Sequence, residues 1–166
     1  NVGMSKSGQF MCSFIYKSFY WSTDYGITWN MASGNIAGTG ICCSTDGKRV
    51  LFTSQNNVKD LYLIYVDTLI PAGTYSYTTI STPTSAQCRY LVASDNLDTI
   101  AVSDNNGSTP KVFISSNYGK HWIDGTMAGT GNGQFINVIV SLTMSADGRY
   151  IYASDGIFLY NLNSPM

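Results

Sequence analysis

Cys43-Ser44-Thr45-Asp46-Gly47-Lys48-Arg49-Val50-Leu51-Phe52-Thr53-Ser54 reads as the end of one strand, a tight turn and a second strand. The turn follows from Asp46-Gly47: Asp tolerates a left-handed backbone and bonds its own main chain, and Gly supplies positive φ without steric cost. Val50-Leu51-Phe52 then provides the β-branched and aromatic side chains of the returning strand.

The same grammar recurs three times. Met4 to Ser13 turns at Ser7-Gly8, Leu91 to Ser103 turns at Ala93-Ser94-Asp95-Asn96, and Met144 to Ser154 turns at Asp147-Gly148. With Ser7, Asp46, Asp95 and Asp147 as equivalent positions, successive turns lie 39, 49 and 52 residues apart. A period in the forties that holds several strands is the spacing of propeller blades.

A second signature falls late in two of the units. Ser22-Thr23-Asp24-Tyr25-Gly26-Ile27-Thr28-Trp29 follows the apolar run Phe14 to Trp21, and Ser115-Ser116-Asn117-Tyr118-Gly119-Lys120-His121-Trp122 follows Lys111 to Ile114. Asp24 and Asn117 are 93 residues apart, two periods of about 46. The connection recurs as well, as Ala37-Gly38-Thr39-Gly40 and Ala128-Gly129-Thr130-Gly131.

Residues 22 to 29 fit SxDxGxTW, the Asp-box or BNR repeat, at every defined position. The chain thus resembles the repeat superfamily of sialidases, xyloglucan-cleaving glycosidases, sortilin-type receptors and photosystem assembly factors, all β-propellers. The second octet keeps Ser115, Gly119 and Trp122 but has Asn117 for Asp and His121 for Thr. Residues 61–73 carry no recognisable box, and a fourth would begin at Phe158-Leu159-Tyr160. The resemblance implies four-stranded blades, about three and a half in this chain: 1–36, 37–84, 85–131 and a partial 132–166. It also implies that the boxes are architectural and lie on the blade rim, away from the functional face.

Turn chemistry accounts for the octet without a ligand. Asp24 accepts main-chain N–H groups, Gly26 permits the reversal, Thr28 favours the returning strand, and Trp29 is expected to bury a large apolar body against the neighbouring unit. Ser22, Ser115, Asn117, Gly119 and Trp122 take the corresponding places.

Composition narrows the chemistry. All ten acidic residues are Asp, and only 11% of the 166 residues are charged, which leaves little of the Glu and Lys that exposed helices use. An all-β class follows. Net charge is −1 and no basic cluster exceeds Lys48-Arg49, so the footprint of a nucleic-acid binder is missing. The longest apolar runs, 61–66 and 135–140, are far short of the ~20 residues of a membrane span. The start at Asn1, without Met or leader, suggests a processed product or a piece of a longer protein.

A sialidase needs three arginines converging on a carboxylate, a Tyr nucleophile activated by a Glu, and an Asp acid/base. Arg49, Arg89 and Arg149 are present, but Arg49 and Arg149 sit two places and one place beyond the Asp-Gly turns of equivalent hairpins, so they read as residues of the repeat and not as members of a converging clamp. The missing Glu removes the activating base. Other glycosidases need two carboxylates at a set separation. With Asp24, Asp46, Asp95 and Asp147 assigned to turns, Asp60, Asp67, Asp98, Asp104, Asp124 and Asp155 are left, and no spacing pairs them. His121 is the single histidine, so a Ser/His/Asp triad or a histidine metal site would have to use it. Asp104-Asn105-Asn106-Gly107-Ser108 lacks the closing bidentate carboxylate of a calcium loop and reads as a turn. Neither GxxxxGK[ST] nor GxGxxG is present. No cofactor or metal is expected.

Cys12, Cys42, Cys43 and Cys88 are too sparse for a disulfide scaffold and lack CxxC spacing, so they read as small buried residues. Most of the twelve tyrosines should face inward on alternating strands. Tyr75 and Tyr77, between Pro71 and Pro83 where the repeat breaks, are the candidates for exposed, ligand-facing rings. The expectation is a non-catalytic recognition or structural module for protein or glycan, with a sialidase-like or other glycoside hydrolase fragment as the alternative. Further blades or self-association would complete the ring, and the polar, Glu-free surface suits an extracellular or virion-exposed protein.

Overall fold

Antiparallel meanders form where the turn sequences fall. The computed structural model describes residues 1–34, 37–54, 59–83, 88–104, 110–125, 139–156 and 159–163. The second connection at 128–131 and the loop residues 105–108 lie outside them, as does Phe158.

The chain divides into two compact units, Asn1–Ile80 and Ser81–Met166. The first holds a sheet of β1 (Val2–Met4), β2 (Met11–Ile15), β3 (Ser18–Ser22) and β4 (Asn30–Ser33), and a sheet of β5 (Gly38–Cys43), β6 (Arg49–Ser54), β7 (Asp60–Tyr65) and β8 (Thr78–Ser81), whose last residue, Ser81, is the first of the second unit. The second holds β9 (Cys88–Ala93), β10 (Ile100–Asp104), β11 (Lys111–Ser115) and β12 (Ile123–Asp124), then β13 (Ser141–Met144), β14 (Tyr150–Ser154) and β15 (Leu159–Asn163). Each sheet runs in chain order, so every strand is hydrogen-bonded to its neighbour in sequence, the up-and-down meander of a blade.

The first two strands of every sheet are joined by the same serine-headed turn. Ser5, Ser44, Ser94 and Ser145 each accept, on the side-chain oxygen, the N–H five residues later, from Phe10, Arg49, Thr99 and Tyr150 at 3.0–3.1 Å. The serine N–H donates to the carbonyl of that same residue at 2.9 Å in all four. The fourth turn residue takes positive φ: Gly8 at 76°, Gly47 at 71°, Leu97 at 61° and Gly148 at 73°. This shifts the sequence-based register in the third sheet by one residue. Asn96, not Asp95, is the counterpart of Asp46 and Asp147, and the carboxylate on Ser94 is that of Asp98.

Close approach explains two of the glycines. Within the first unit Lys6 N–H donates to the Thr45 carbonyl at 3.1 Å, and within the second Asp95 N–H donates to that of Ala146 at 2.8 Å. This tie brings one turn so near the next sheet that a Cβ on Gly47 would stand 2.8 Å from the Phe10 Cβ, and one on Gly148 would stand 2.7 Å from the Thr99 Cβ.

In the first unit the core is aromatic. Phe19, Trp21, Phe52, Tyr62 and Tyr75 gather around fully buried Cys12, Ala32, Val50 and Ile64. The rings of Phe14 and Phe52 lie 4.6 Å apart, and those of Phe19 and Trp21 stack at 5.9 Å. The second unit packs Ala101, Val112, Ile114, Ile139, Leu142, Ile151 and Ala153. Strands β6 from Val50 and β10 throughout are buried, as their unbroken apolar starts require. None of the four cysteines is in a disulfide; Cys12 and Cys88 are buried, whereas Cys42 and Cys43 are half-buried.

Candidate functional site

Each octet closes a turn after the third strand of its sheet. The Ser22 hydroxyl donates to Asp24 Oδ1 at 2.7 Å, and its oxygen accepts the Gly26 N–H at 2.9 Å. Asp24 then reaches across, with Oδ1 accepting the Thr28 N–H at 2.8 Å and Oδ2 the Thr28 hydroxyl at 2.6 Å. Tyr25 and Gly26 carry the reversal at φ 61° and 83°. The second octet repeats this chemistry in neutral form. Ser115 donates to Asn117 at 3.1 Å, Gly119 N–H donates to the Ser115 oxygen at 2.9 Å, and His121 N–H donates to Asn117 Oδ1 at 2.8 Å. His121 brings no hydroxyl, so the Thr28 bond is not reproduced.

Sequence reasoning placed two aromatic residues differently. Trp29 is 45% exposed, with its indole N–H turned back onto the Gly26 carbonyl at 3.0 Å, so it caps its own turn instead of filling the core. Trp122 instead donates to the Ser81 carbonyl at 3.0 Å. Tyr75, expected on the surface, is only 5% exposed and packs edge-on to Phe14 and Phe52. The segment before it lies along β4: Ala72 N–H donates to Met31, Ser33 N–H to Gly73, and Tyr75 N–H to Ser33. Tyr77 is exposed, its ring against Tyr62 and Tyr75.

The turn carboxylates are held ionised. The Thr28 hydroxyl, then the Thr28 N–H and Ser22, lower Asp24 to a pKa of about 2. Ser44 and the Lys48 N–H hold Asp46 below the usual range, and Ser145 and the Arg149 N–H do the same for Asp147. For Asp98 burial pushes upward, but the bonds from Ser94, Asn96 and Thr99 outweigh it. A general acid needs the opposite shift. Asp124 is paired with Lys111 at 2.8 Å, and this pairing raises the lysine pKa.

Two carboxylates have a different setting. Asp104 and Asp155 are 6% and 4% exposed. Counted from the serine heads Ser94 and Ser145, each is the tenth residue on, so both stand where the second strand of a sheet ends, on the side away from the hairpin turns. Sequence spacing hid this relation, because it appears only once the serines set the register. Among the described residues no group of three or more His, Cys, Asp or Glu could hold a metal ion. Nor is any helix there long and apolar enough to cross a membrane.

The first unit also contains an open cleft of about 610 Å³ lined by Asp46, Lys48, Arg49, Tyr65, Val66 and Asp67. It lies between the hairpin turn of the second sheet and the end of β7.

No protein-family model and no curated protein sequence matches the chain. Solved structures do: the hydrazine synthase of Kuenenia stuttgartiensis has a TM-score of 0.62 at 14% identity over 92% of this chain and 42% of its own. The GH74 enzyme of Niastella koreensis has a TM-score of 0.64 at 18% identity over 98% of this chain and 22% of its own. The chain therefore spans less than half of either. At such identities the likeness establishes the fold alone, a propeller-like all-β arrangement of blades, shared here by proteins with unrelated names.

Proposed function

We propose that this chain is a stretch of β-propeller whose octets are Asp-boxes with an architectural role, and whose loops recognise a protein or glycan without chemistry on it. One observation carries the reading: the carboxylates of the repeated turns, Asp24, Asp46, Asp98 and Asp147, are all held by local bonds that keep them ionised. They shape turns and are unsuited to donating a proton. Further blades or a second copy complete the ring in this reading, no cofactor is needed, and an extracellular or virion-exposed setting fits the polar surface.

A second reading, a segment of a glycoside hydrolase, is favoured by Asp104 and Asp155. Chemistry on a glycosidic bond requires two carboxylates, and these two stand buried at matching strand ends, outside the repeated turns. The GH74 likeness adds fold-level analogy. A glycan array run beside incubations with sialosides and glucan oligosaccharides separates the two. Glycans bound and recovered intact support recognition. Turnover that disappears in Asp104→Asn or Asp155→Asn overturns it in favour of hydrolysis.

A further inference from the structure

The sheet of β5–β8 departs from the two octet-bearing sheets at one place. In those sheets the octet tyrosine donates its N–H to the last carbonyl of the hairpin turn, Tyr25 to Gln9 at 3.2 Å and Tyr118 to Asp98 at 2.9 Å. Val66 makes the same bond to Lys48 at 2.8 Å, but the chain then closes a single 3₁₀ turn over Val66–Thr68 and leaves without an octet. The cleft lined by Tyr65, Val66 and Asp67 opens where the middle of an octet would lie.

We propose that this cleft binds a neutral sugar unit of a glycan, with the Tyr65 ring as its platform and Asp46, Lys48, Arg49 and Asp67 as its hydrogen-bonding rim. The inference rests on the recognition reading above and narrows it to one cleft and one ligand class. Tyr65 is 47% exposed, and it lines the cleft. Arg49 stands directly opposite Tyr65 in the β6–β7 register, so both side chains leave the same face of the sheet. Val66 packs down onto the core and gives the cleft an apolar floor.

The rim decides the ligand class. Two acids and two bases cancel, so a phosphate or a sialic acid would meet Asp46 and Asp67 as well as the cations. The surface the cleft offers is mainly apolar, which suits the C–H face of a sugar, whereas a wholly apolar ligand would leave the hydrogen-bonding capacity of the charged rim unused. A neutral sugar has a C–H face for the ring, and hydroxyls that donate to carboxylates and accept from ammonium and guanidinium groups. Asp46 spends Oδ1 on its turn, accepting from Ser44 at 2.6 Å and from Lys48 N–H at 3.0 Å, and so presents a fixed, ionised carboxylate. The volume lies within the ~300–1,000 Å³ of ordinary ligand pockets.

The test is an NMR titration of the isotope-labelled 166-residue chain with cellohexaose, maltohexaose and mannopentaose, and with sialyllactose as the charged arm. One or more neutral oligosaccharides should shift the amides of Lys48, Arg49 and Tyr65–Asp67. Tyr65→Ala should weaken that binding by about tenfold or more, while Tyr118→Ala, an equally exposed octet tyrosine, changes it by less than about twofold. Circular dichroism of both variants confirms that the fold is kept. Neutral-sugar binding unchanged by Tyr65→Ala overturns the cleft but leaves the recognition reading standing. Binding of sialyllactose alone overturns the neutral class. If no oligosaccharide binds at millimolar concentration, the sugar site is overturned, and recognition of a protein is then the surviving form of the broader reading.

Discussion

Asp24 grips Thr28 twice, taking the hydroxyl on Oδ2 at 2.6 Å and the N–H on Oδ1 at 2.8 Å, while Ser22 adds a third donor at 2.7 Å. All three bonds favour the charged carboxylate, and its pKa falls to about 2. An unfolded Asp titrates near ~3.9, so this group supports the folded state fully above that pH and loses its contribution as pH falls through about 2. Carboxyl titration followed by NMR should place the Asp24 midpoint near 2, and Thr28→Val should move it upward. An ordinary Asp midpoint in the native chain would mean that the double grip does not form in solution.

The turn glycines separate two effects that usually travel together. Gly8 and Gly148 share the left-handed backbone, at φ 76° and 73°, but a Cβ on Gly8 meets nothing closer than 3.8 Å, whereas one on Gly148 meets Thr99 at 2.7 Å. Gly8→Ala should therefore cost only the backbone term, about 1–2 kcal/mol. Gly148→Ala should cost that plus about 1–3 kcal/mol for forcing the sheets apart. Urea denaturation of the two variants measures the difference, and equal midpoints would argue against the close approach.

How far the sequence carries depends on what each residue says about its own backbone. Asp46-Gly47 and Asp147-Gly148 announce their turns because few other residues suit that geometry, and the blade fold follows from their spacing. The third turn is misread by one place because Leu97, a residue with no turn preference, holds the left-handed position and is buried there. Ser5, Ser44, Ser94 and Ser145 sit in plain view in the repeats. Serine is common in loops, however, and only hydrogen-bond geometry reveals the shared bond to the fifth residue on. Asp104 and Asp155 become a matched pair only after that register is known. Tyr75 is misplaced because its segment has no repeat, and it is the backbone pairing with Ser33 that draws it inward.

Cys12 gives a chemical readout of the same packing. A hydrogen bond with Cys43 and then complete burial push its thiol well above the ordinary range. The thiolate is the reacting species, so Cys12 should stay unlabelled when the native chain is treated with iodoacetamide at neutral pH, and should label once the chain is unfolded. Peptide mass spectrometry reads the outcome, and prompt native labelling would place the sulfur in contact with water.

Tyr75 and Trp29 reverse the ranking that side-chain size alone suggests. Tyr75 is 5% exposed and touches Phe14, Phe19 and Phe52, so Tyr75→Ala empties the centre of the first unit and should cost about 3–5 kcal/mol. Trp29 is 45% exposed and holds one bond, from its indole N–H to the Gly26 carbonyl at 3.0 Å. Trp29→Ala should cost only about 1 kcal/mol, since the ring leaves no enclosed cavity behind and the freed carbonyl is reached by water. Urea unfolding monitored by near-ultraviolet circular dichroism ranks the pair. A larger loss for Trp29→Ala than for Tyr75→Ala would mean that the octet tryptophan is buried by something beyond this chain, such as the next blade of a ring.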